Sequence, residues 1–400
     1  MSLLPVDDAR SRILNRVNPL PPERVQIEDA IGRATVEPVR VRRTLPPWDN
    51  SAMDGYAVRT ADVSSTPLKV VEKIFAGDVP RRALNMGEVA RIMTGARLPP
   101  GADAVIMQEQ ARALDDTHVE FQASAKAGQN VRRRGEDVRE GDVLFAAGRE
   151  LSAADAGALW SQGLVDVAVH RRPRVAIVTS GDELSEVGVI HPDKLVDSNG
   201  PVIRALARAA GADAVHLGRA DDSLESLHAL LAKGLEFDVL IAIAGASVGE
   251  RDFTREAFTA LDVPLDFWRV AMRPGKPLAF GKKNDTLVFN LPGNPVSAMV
   301  TFELFVRPVL RALQGLSTVL PALPARASAD VKSVPGLRLF VRAATEVRDG
   351  AIWATPLQSQ SSGALSSAAG ATALIDVPTD SLGVKAGDPI TLIPVSWLGR

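Results

Sequence analysis

Between Arg174 and about Gly315, short β-branched runs alternate with helical stretches, and this alternation limits the possible folds more than any other feature of the chain. RVAIVTSG is followed by PVIRALARAAG, then FDVLIAIAG, TREAFTAL and a last helix from about Val296. Short apolar strands separated by helices build parallel sheets with helical cover, because each parallel connection must cross back over the sheet. Open sheets of this kind bind ligands outside the carboxyl ends of their strands. Four glycine- or proline-rich loops fall there: TSGDEL (Thr179 to Leu184), GASVG (Gly245 to Gly249), RPGKP (Arg273 to Pro277) and LPGNPVS (Leu291 to Ser297). One such loop reads as a turn. Four on one sheet edge, where helix amino termini and free N–H groups gather, outline a pocket for an anion.

The flanking regions have a different texture. From about Arg40 to Gly141, LKVVEKIF, AVIMQE and THVEF are strand-like runs broken by Gly, Pro and Asp turns, which predicts a mostly β insertion. A helix is expected from Ala153 to about Gly163, capped by Ser152, with VDVAV as the strand after it. After the proline-marked connector LPALPAR, the runs DVKSV, LRLFVRAATEV, AIWATPL, TALIDVP and DPITLIPV suit a small antiparallel barrel or sandwich. Near the start, Pro5 suits a first helical turn, and Ala9, Ile13 and Val17 recur on one side.

A chain of 400 residues needs several cores, and 46% hydrophobic with 24% charged residues is a globular balance. A net charge of -2 gives no global reason to bind nucleic acid. The first residues lack the apolar core of a signal peptide, and the run from Val239 is far shorter than the roughly 20 residues a bilayer requires. A cytoplasmic protein without a membrane span is expected. With 0 cysteines, disulfides, thiolate catalysis, iron-sulfur clusters and cysteine-ligated zinc are excluded.

GASVG also fits the G-x-S-x-G nucleophile elbow, but that fold places its histidine after the nucleophile. His118, His170, His191, His216 and His228 all precede Ser247, which leaves the serine without a general base and favours a hydrogen-bonding role. The histidines are also too scattered for a transition-metal cluster. Carboxylates are better placed: Asp54, Asp137, Glu183, Asp197 and Asp252 sit beside glycine turns or strand ends. Oxygen ligands without sulfur or imidazole select hard ions such as Mg²⁺, although Asp beside Gly also serves ordinary turns. DNSAMDGYA (Asp49 to Ala57) and NVRRRGEDV (Asn130 to Val138) concentrate polar groups in the insertion. Arg132, Arg133 and Arg134 can fork onto phosphate or form a solvated face. Lys276 lies in a loop opened by Gly275.

Taken together these motifs resemble the molybdopterin molybdenumtransferases, called MoeA in bacteria and homologous to the E domain of gephyrin. The resemblance runs through PPWDNSAMDGYAVR, IMTGARLPPGADAVIMQE, NVRRRGEDV, AIVTSGDEL, VDSNGPVI, ASVGERDF, MRPGKPLAFG and LPGNPVSAMVTF, in family order. It implies a multidomain α/β plus all-β protein with four domains. These are a discontinuous linking domain (22–39 and 142–171), a β-rich insertion (40–141), an α/β domain of molybdopterin-binding type (1–21 and 172–320) and a C-terminal β-barrel (321–400). It also implies a homodimer whose cleft lies between the α/β domain and the partner's insertion. The implied reaction takes adenylylated molybdopterin and molybdate, forms the molybdenum cofactor and releases AMP with Mg²⁺. Transient contacts with molybdopterin adenylyltransferase and cofactor-accepting enzymes would follow, and the dithiolene sulfurs would belong to the substrate.

Carried over motif by motif, the resemblance implies that Asp54, Asp137 and Glu183 hold the metal, and that Thr94 and Lys276 take part in catalysis. Asp197, Ser198, Asp222, Gly245, Ser247, Gly249 and Asp252 are expected along the pterin and nucleotide site. Arg134, Arg273, Pro292, Asn294, Pro295 and Ser297 complete the substrate contacts, with Arg273, Lys276, Asn294 and Ser297 facing oxyanions. The chain departs from the family where IAGASVG replaces SGGVSVG, where Arg273 replaces a frequent lysine and where Val196 replaces a frequent tyrosine. Adenylylation of a pterin is the rival reaction, but the acids of DNSAMDGYA and RRRGEDV lie outside the α/β region it would need. A non-enzymatic scaffold is disfavoured by the retained acids, whose mutual repulsion is useful only where a cation neutralises it.

Overall fold

The computed structural model describes residues 3–64, 67–244 and 253–398. The alternating stretch forms one six-stranded sheet made of β1 (Arg174–Ser180), β2 (Asp213–Ala220), β3 (Val239–Ala244), β4 (Leu265–Trp268), β5 (Ala279–Lys283) and β6 (Thr286–Pro292). Their spatial order is β2-β1-β3-β6-β5-β4. β1 is parallel to β2 and β3, and β3 to β6, whereas β5 and β4 run antiparallel at one edge. The chain leaves β1 for β2 on one side and comes back to β3 on the other. Strand order therefore reverses between β1 and β3, which opens a crevice at their carboxyl ends.

Both faces of this sheet are covered, which is why β3 reads as an unbroken apolar run and is buried at every position. On one face α1 (Val6–Leu14), α2 (Asn199–Ala209), α5 (Pro295–Thr301) and α6 (Arg307–Leu313) bring Ile13, Ile203, Val300 and Leu310 against Ile177, Ile241 and Phe289. On the other, α3 (Leu224–Gly234) and α4 (Phe253–Ala260) set Leu227, Leu231 and Phe258 against Val178, Leu240 and Val288. Ser223 caps α3 by accepting the Ser226 N–H at 3.2 Å. The helix expected from Val296 is interrupted, because a π-turn at Phe302–Val306 separates α5 from α6.

Five strands of the C-terminal region, Leu323–Ala327, Arg338–Arg348, Ala351–Pro356, Ala373–Val377 and Pro389–Pro394, pair in a ring and close a barrel. Closure pairs each of these strands with two others of the ring. Two local expectations fail here. The second half of LPALPAR is not a connector but the strand Leu323–Ala327, with Pro324 opposite Thr391; proline loses only its N–H donor and keeps an extended φ. DVKSV forms only the isolated bridges Val331 to Val384 and Val334 to Leu337, because Asp330 is held as a loop anchor by Lys385 Nζ at 2.8 Å and the Ala386 N–H at 3.0 Å. Arg338 joins α1 to the barrel through Asp7 at 2.9 Å and Asp376 at 2.6 Å.

By contacts the chain divides into two compact units. One comprises Met1–Val36, Gly148–Ser152 and Asp166–Arg400, and the other Glu37–Ala147 with Ala153–Val165. The second unit is built on a six-stranded mixed sheet ordered Ala104–Met107, Gly55–Val58, Glu88–Ile92, Leu68–Ile74, His118–Phe121, Ala111–Ala113. The runs LKVVEKIF, AVIMQE and THVEF supply three of these strands, and the expected helix spans Ala153–Ser161. The glycine of DNSAMDGYA has a steric cause. A Cβ on Gly55 would stand 2.0 Å from the Ile106 carbonyl oxygen, so only glycine lets this strand lie between its neighbours.

The amino ends of β1 and β3 are locked by one ion pair. Arg171 donates from both terminal nitrogens to Asp238 at 2.6 and 2.7 Å, and the Arg174 N–H adds a third bond at 2.7 Å. Burial pushes the Asp238 carboxyl up, but these three donors outweigh it and hold the group below its ordinary value of 3.8. Its contribution is thus complete above that ordinary value and is lost as pH falls through the lower folded one. Asp238→Asn should cost about 2 kcal/mol at pH 7, and much less near pH 2. Urea denaturation at both pH values checks this; an equal loss at both would contradict it.

Candidate functional site

The crevice at the strand-order reversal is a cavity of about 570 Å³. Ser180 at the end of β1, Ile243 in β3 and Pro292 at the end of β6 form its floor, and the TSGDEL, 195–199 and LPGNP segments form its walls. Glu183, Asp197, Ser198, Pro292, Asn294 and Pro295 all line it, so the structure gathers six of the expected residues here. Gly181 makes the first wall possible. It sits at φ +146°, and a Cβ there would lie 2.6 to 2.8 Å from the Glu183 carboxylate.

Asp197 plays a different part from its neighbours. It is only 3% exposed, and its carboxylate is saturated from within: the Thr179 hydroxyl donates to Oδ2 at 2.7 Å, while the Asn199 and Gly200 N–H groups donate to Oδ1 at 3.1 and 3.2 Å. It holds the first turn of α2 in place. Asn199 then donates from Nδ2 to the Gly293 carbonyl at 2.6 Å, tying the 195–199 wall to the LPGNP wall. Asp222 stands behind TSGDEL, its N–H bonded to Asp182 Oδ1 at 3.1 Å, and is not among the residues lining the cavity.

Arg273 and Lys276 face a second cavity, of about 830 Å³. Arg273, Lys276 and Ser297 line it together with barrel residues that include Asp330, Lys332, Phe340, Gln360 and Ser361, and Pro277 borders both cavities. Arg273, Lys276 and Lys332 are exposed, so three cations look into one space, whereas Asp330 is engaged by Lys385. Asn294 lies on the first cavity and not with this group. Gly275 allows the loop its course: at φ +104° a Cβ would meet Thr301 Cγ2 at 2.5 Å. The Val296 N–H bonds the Ser362 carbonyl at 3.0 Å and joins the α5 start to the barrel.

Sequence reasoning missed the barrel's share of this wall. It also missed Arg342, which is 0% exposed and donates from Nη2 to the carbonyls of Ser359 at 2.8 Å and Ser361 at 3.1 Å. Its Nε and Nη1 have no partner among the described residues, and burial lowers its pKa. A guanidinium with free donors thus sits directly behind the Ser361 wall. The signal was present, since an arginine at a core-facing position of the apolar run LRLFVRAATEV demands a reason.

In the second compact unit, Asp54 is exposed and ordered by Thr94, whose N–H and hydroxyl donate to Oδ1 at 2.7 and 2.8 Å. These bonds, the backbone one first, hold its carboxyl below the usual range, so it is ionised at neutral pH with Oδ2 not taken up by Thr94. Asp137 is also exposed; its N–H bonds the Leu45 carbonyl at 3.2 Å. Within the arginine run, Arg133 pairs with Asp49 at 2.8 Å and the Arg134 N–H bonds the same carboxylate at 2.8 Å, leaving the Arg134 side chain exposed. Among the described residues no three His, Asp or Glu side chains gather closely enough to hold a metal ion. Gly245, Ser247, Gly249 and Asp252 lie outside the described residues.

Comparison with known proteins gives three successive family matches. Residues 4–163 match the MoeA N-terminal region (domain I and II), 176–312 a probable molybdopterin binding domain, and 324–395 the MoeA C-terminal region (domain IV). Molybdopterin molybdenumtransferase of Haemophilus influenzae is 35% identical, over 99% of this chain and 100% of its own length. The Bacillus subtilis protein of the same name is 32% identical over 98% of this chain and 94% of its own length. The crystal structure of the molybdopterin biosynthesis MoeA protein from Pyrococcus horikoshii superposes with a TM-score of 0.82 at 30% identity, covering 98% of this chain and 99% of that one. Likeness of this extent, over all three regions, makes the chain a member of the molybdopterin molybdenumtransferase family.

Proposed function

We propose that this protein inserts molybdate into adenylylated molybdopterin, releasing AMP and forming the molybdenum cofactor in the cytoplasm. The observation that carries this reading is the pair of cavities sharing Pro277: one walled by Glu183 and polar loops at a strand-order reversal, the other ringed by Arg273, Lys276 and Lys332. A pterin with its nucleotide arm suits the first, where open α/β sheets receive such ligands. A tetrahedral oxyanion suits the second, with Ser297 as a further hydrogen-bonding group and Arg342 adding charge behind the wall. Adjacency would bring the oxyanion next to the bound pterin, and fixed cations would offset negative charge there. Since the chain has 0 cysteines, the sulfurs that bind molybdenum come from the substrate.

Asp54, Asp137 and Glu183 are the residues proposed to hold a divalent ion. The donor set fits one: all three offer carboxylate oxygens, which suit a hard cation, and Asp54 is kept ionised by Thr94. When bound, a magnesium-type ion would neutralise charge on the phosphoanhydride. Thr94 orients Asp54, while Arg134 would meet a substrate phosphate. In a homodimer the β-rich unit of one subunit would complete the cavity of the other. Passing contact with the adenylyltransferase that makes the substrate, and with enzymes that accept the product, belongs to the same reading. The GASVG residues Gly245, Ser247 and Gly249, with Asp252, would complete the substrate contacts.

Purified protein supplied with adenylylated molybdopterin, Mg²⁺ and molybdate should release AMP only when molybdate is present. AMP release without molybdate, or turnover of ATP with free molybdopterin, would contradict the assignment. Asp54→Asn should slow release by about 100-fold with the melting temperature unchanged. Lys276→Ala should raise the molybdate KM about tenfold, as expected for one lost charge-assisted contact; steady-state kinetics with molybdate varied reads the difference.

A further inference from the structure

Behind the first cavity lies a titratable side chain with no role in the reaction just described. His216 points inward from β2, where the register with β1 slips by one residue between Ile177 and Val178 and Gly218 adopts φ +128°. Bulges of this kind re-aim side chains. The ring is 19% exposed and fills the notch beside Gly200 at the start of α2, where a Cβ would stand 2.4 to 2.7 Å from ring atoms. Its Nε2 lies 3.1 Å from Thr179 Oγ1 and 3.7 Å from Asp197 Oδ2.

The hydrogen-bond inventory fixes the direction of these contacts. A threonine hydroxyl has one proton, and an ionised carboxylate can only accept. Thr179 gives its proton to Asp197 Oδ2, so toward His216 it must act as acceptor and the imidazole must carry its hydrogen on Nε2. Burial lowers its pKa and Arg204 pushes the same way, while Asp197 and a backbone bond at Gly218 partly offset them. From Asp197 the chain of bonds runs through the Asn199 N–H and then from Asn199 Nδ2 to the Gly293 carbonyl, on the opposite wall of the cavity.

We propose that His216 is a positioning residue for the substrate cavity: by donating from Nε2 to Thr179 it commits the threonine proton to Asp197, and the Asp197-Asn199-Gly293 bonds then hold the two walls at their working separation. The proposal rests on the reading of this cavity as the pterin site. Nothing in it requires His216 to touch substrate. Loss of the donor therefore weakens binding and leaves the chemical step alone. A purely space-filling histidine would behave differently, because leucine, of similar bulk, would then serve as well as glutamine, whose amide nitrogen can replace the Nε2 donor.

The test compares wild type, His216→Leu and His216→Gln in steady-state AMP release with adenylylated molybdopterin varied at saturating molybdate and Mg²⁺, alongside binding of free molybdopterin and thermal melting. His216→Leu should raise the KM and the molybdopterin Kd about tenfold with kcat within about twofold, and His216→Gln should restore both. Should His216→Leu fail to fold, Thr179→Val against Thr179→Ser asks the same question, with serine retaining the bonds and valine losing them. An unchanged KM and Kd in the leucine and valine variants, or a glutamine variant as weak as leucine, overturns the proposal while leaving the function intact. Failure of the wild type to bind molybdopterin at all overturns the functional reading and this inference with it.

Discussion

In a parallel sheet all strands end on the same side, and here that constraint brings together segments far apart in sequence. Because β1, β3 and β6 run in one direction, TSGDEL and LPGNPVS leave the sheet at the same edge although they are separated by more than a hundred positions. The two-faced apolar core that fixes the strand order also fixes the distance between these loops. The first cavity is built on that edge. The barrel adds its own wall by way of Arg338, the Val296 to Ser362 bond and the short pairing of Met272–Arg273 with the Arg338 strand.

The polar groups near this edge fall into two kinds, separated by whether their hydrogen bonds are met from within. Asp197 is saturated by Thr179, Asn199 and Gly200, so it holds structure and has little left to offer a ligand. Asp54 gives one oxygen to Thr94, and Arg342 keeps two donors free behind a cavity wall. A buried guanidinium with unmet donors costs stability that a well-packed apolar residue would not. That cost makes sense where an anion is to be held nearby.

Much of the fold could be read in advance because it was written in periodicity. The apolar run ending in IAIA announced a doubly covered strand, and the spacing of Ala9 and Ile13 announced the packed side of α1. What was misread depended on tertiary partners. Leu323–Ala327 looked like a linker since two prolines dominate its neighbourhood, yet barrel closure supplied the strand partners that local propensity could not. DVKSV alternated like a strand, but an Asp330 anchor bent it into a cavity wall. For the site, residues of TSGDEL, RPGKP and LPGNPVS line cavities, but the motifs could not say that they face two. Asp197 stood out as an acid at a strand end beside a glycine turn, a position that equally suits turn chemistry, and its burial and internal hydrogen bonds show the structural part it plays.

The central claim is that an oxyanion lies beside the pterin site, in the cavity formed by Arg273, Lys276, Ser297 and the barrel. Anomalous diffraction from crystals soaked in tungstate, a heavy surrogate for molybdate, locates the anion without any assumption about turnover. The account places the tungsten peak within that cavity, against Arg273 and Lys276 and next to Pro277. A peak found only on the outer surface or in the β-rich unit, with this cavity holding water alone, would contradict it.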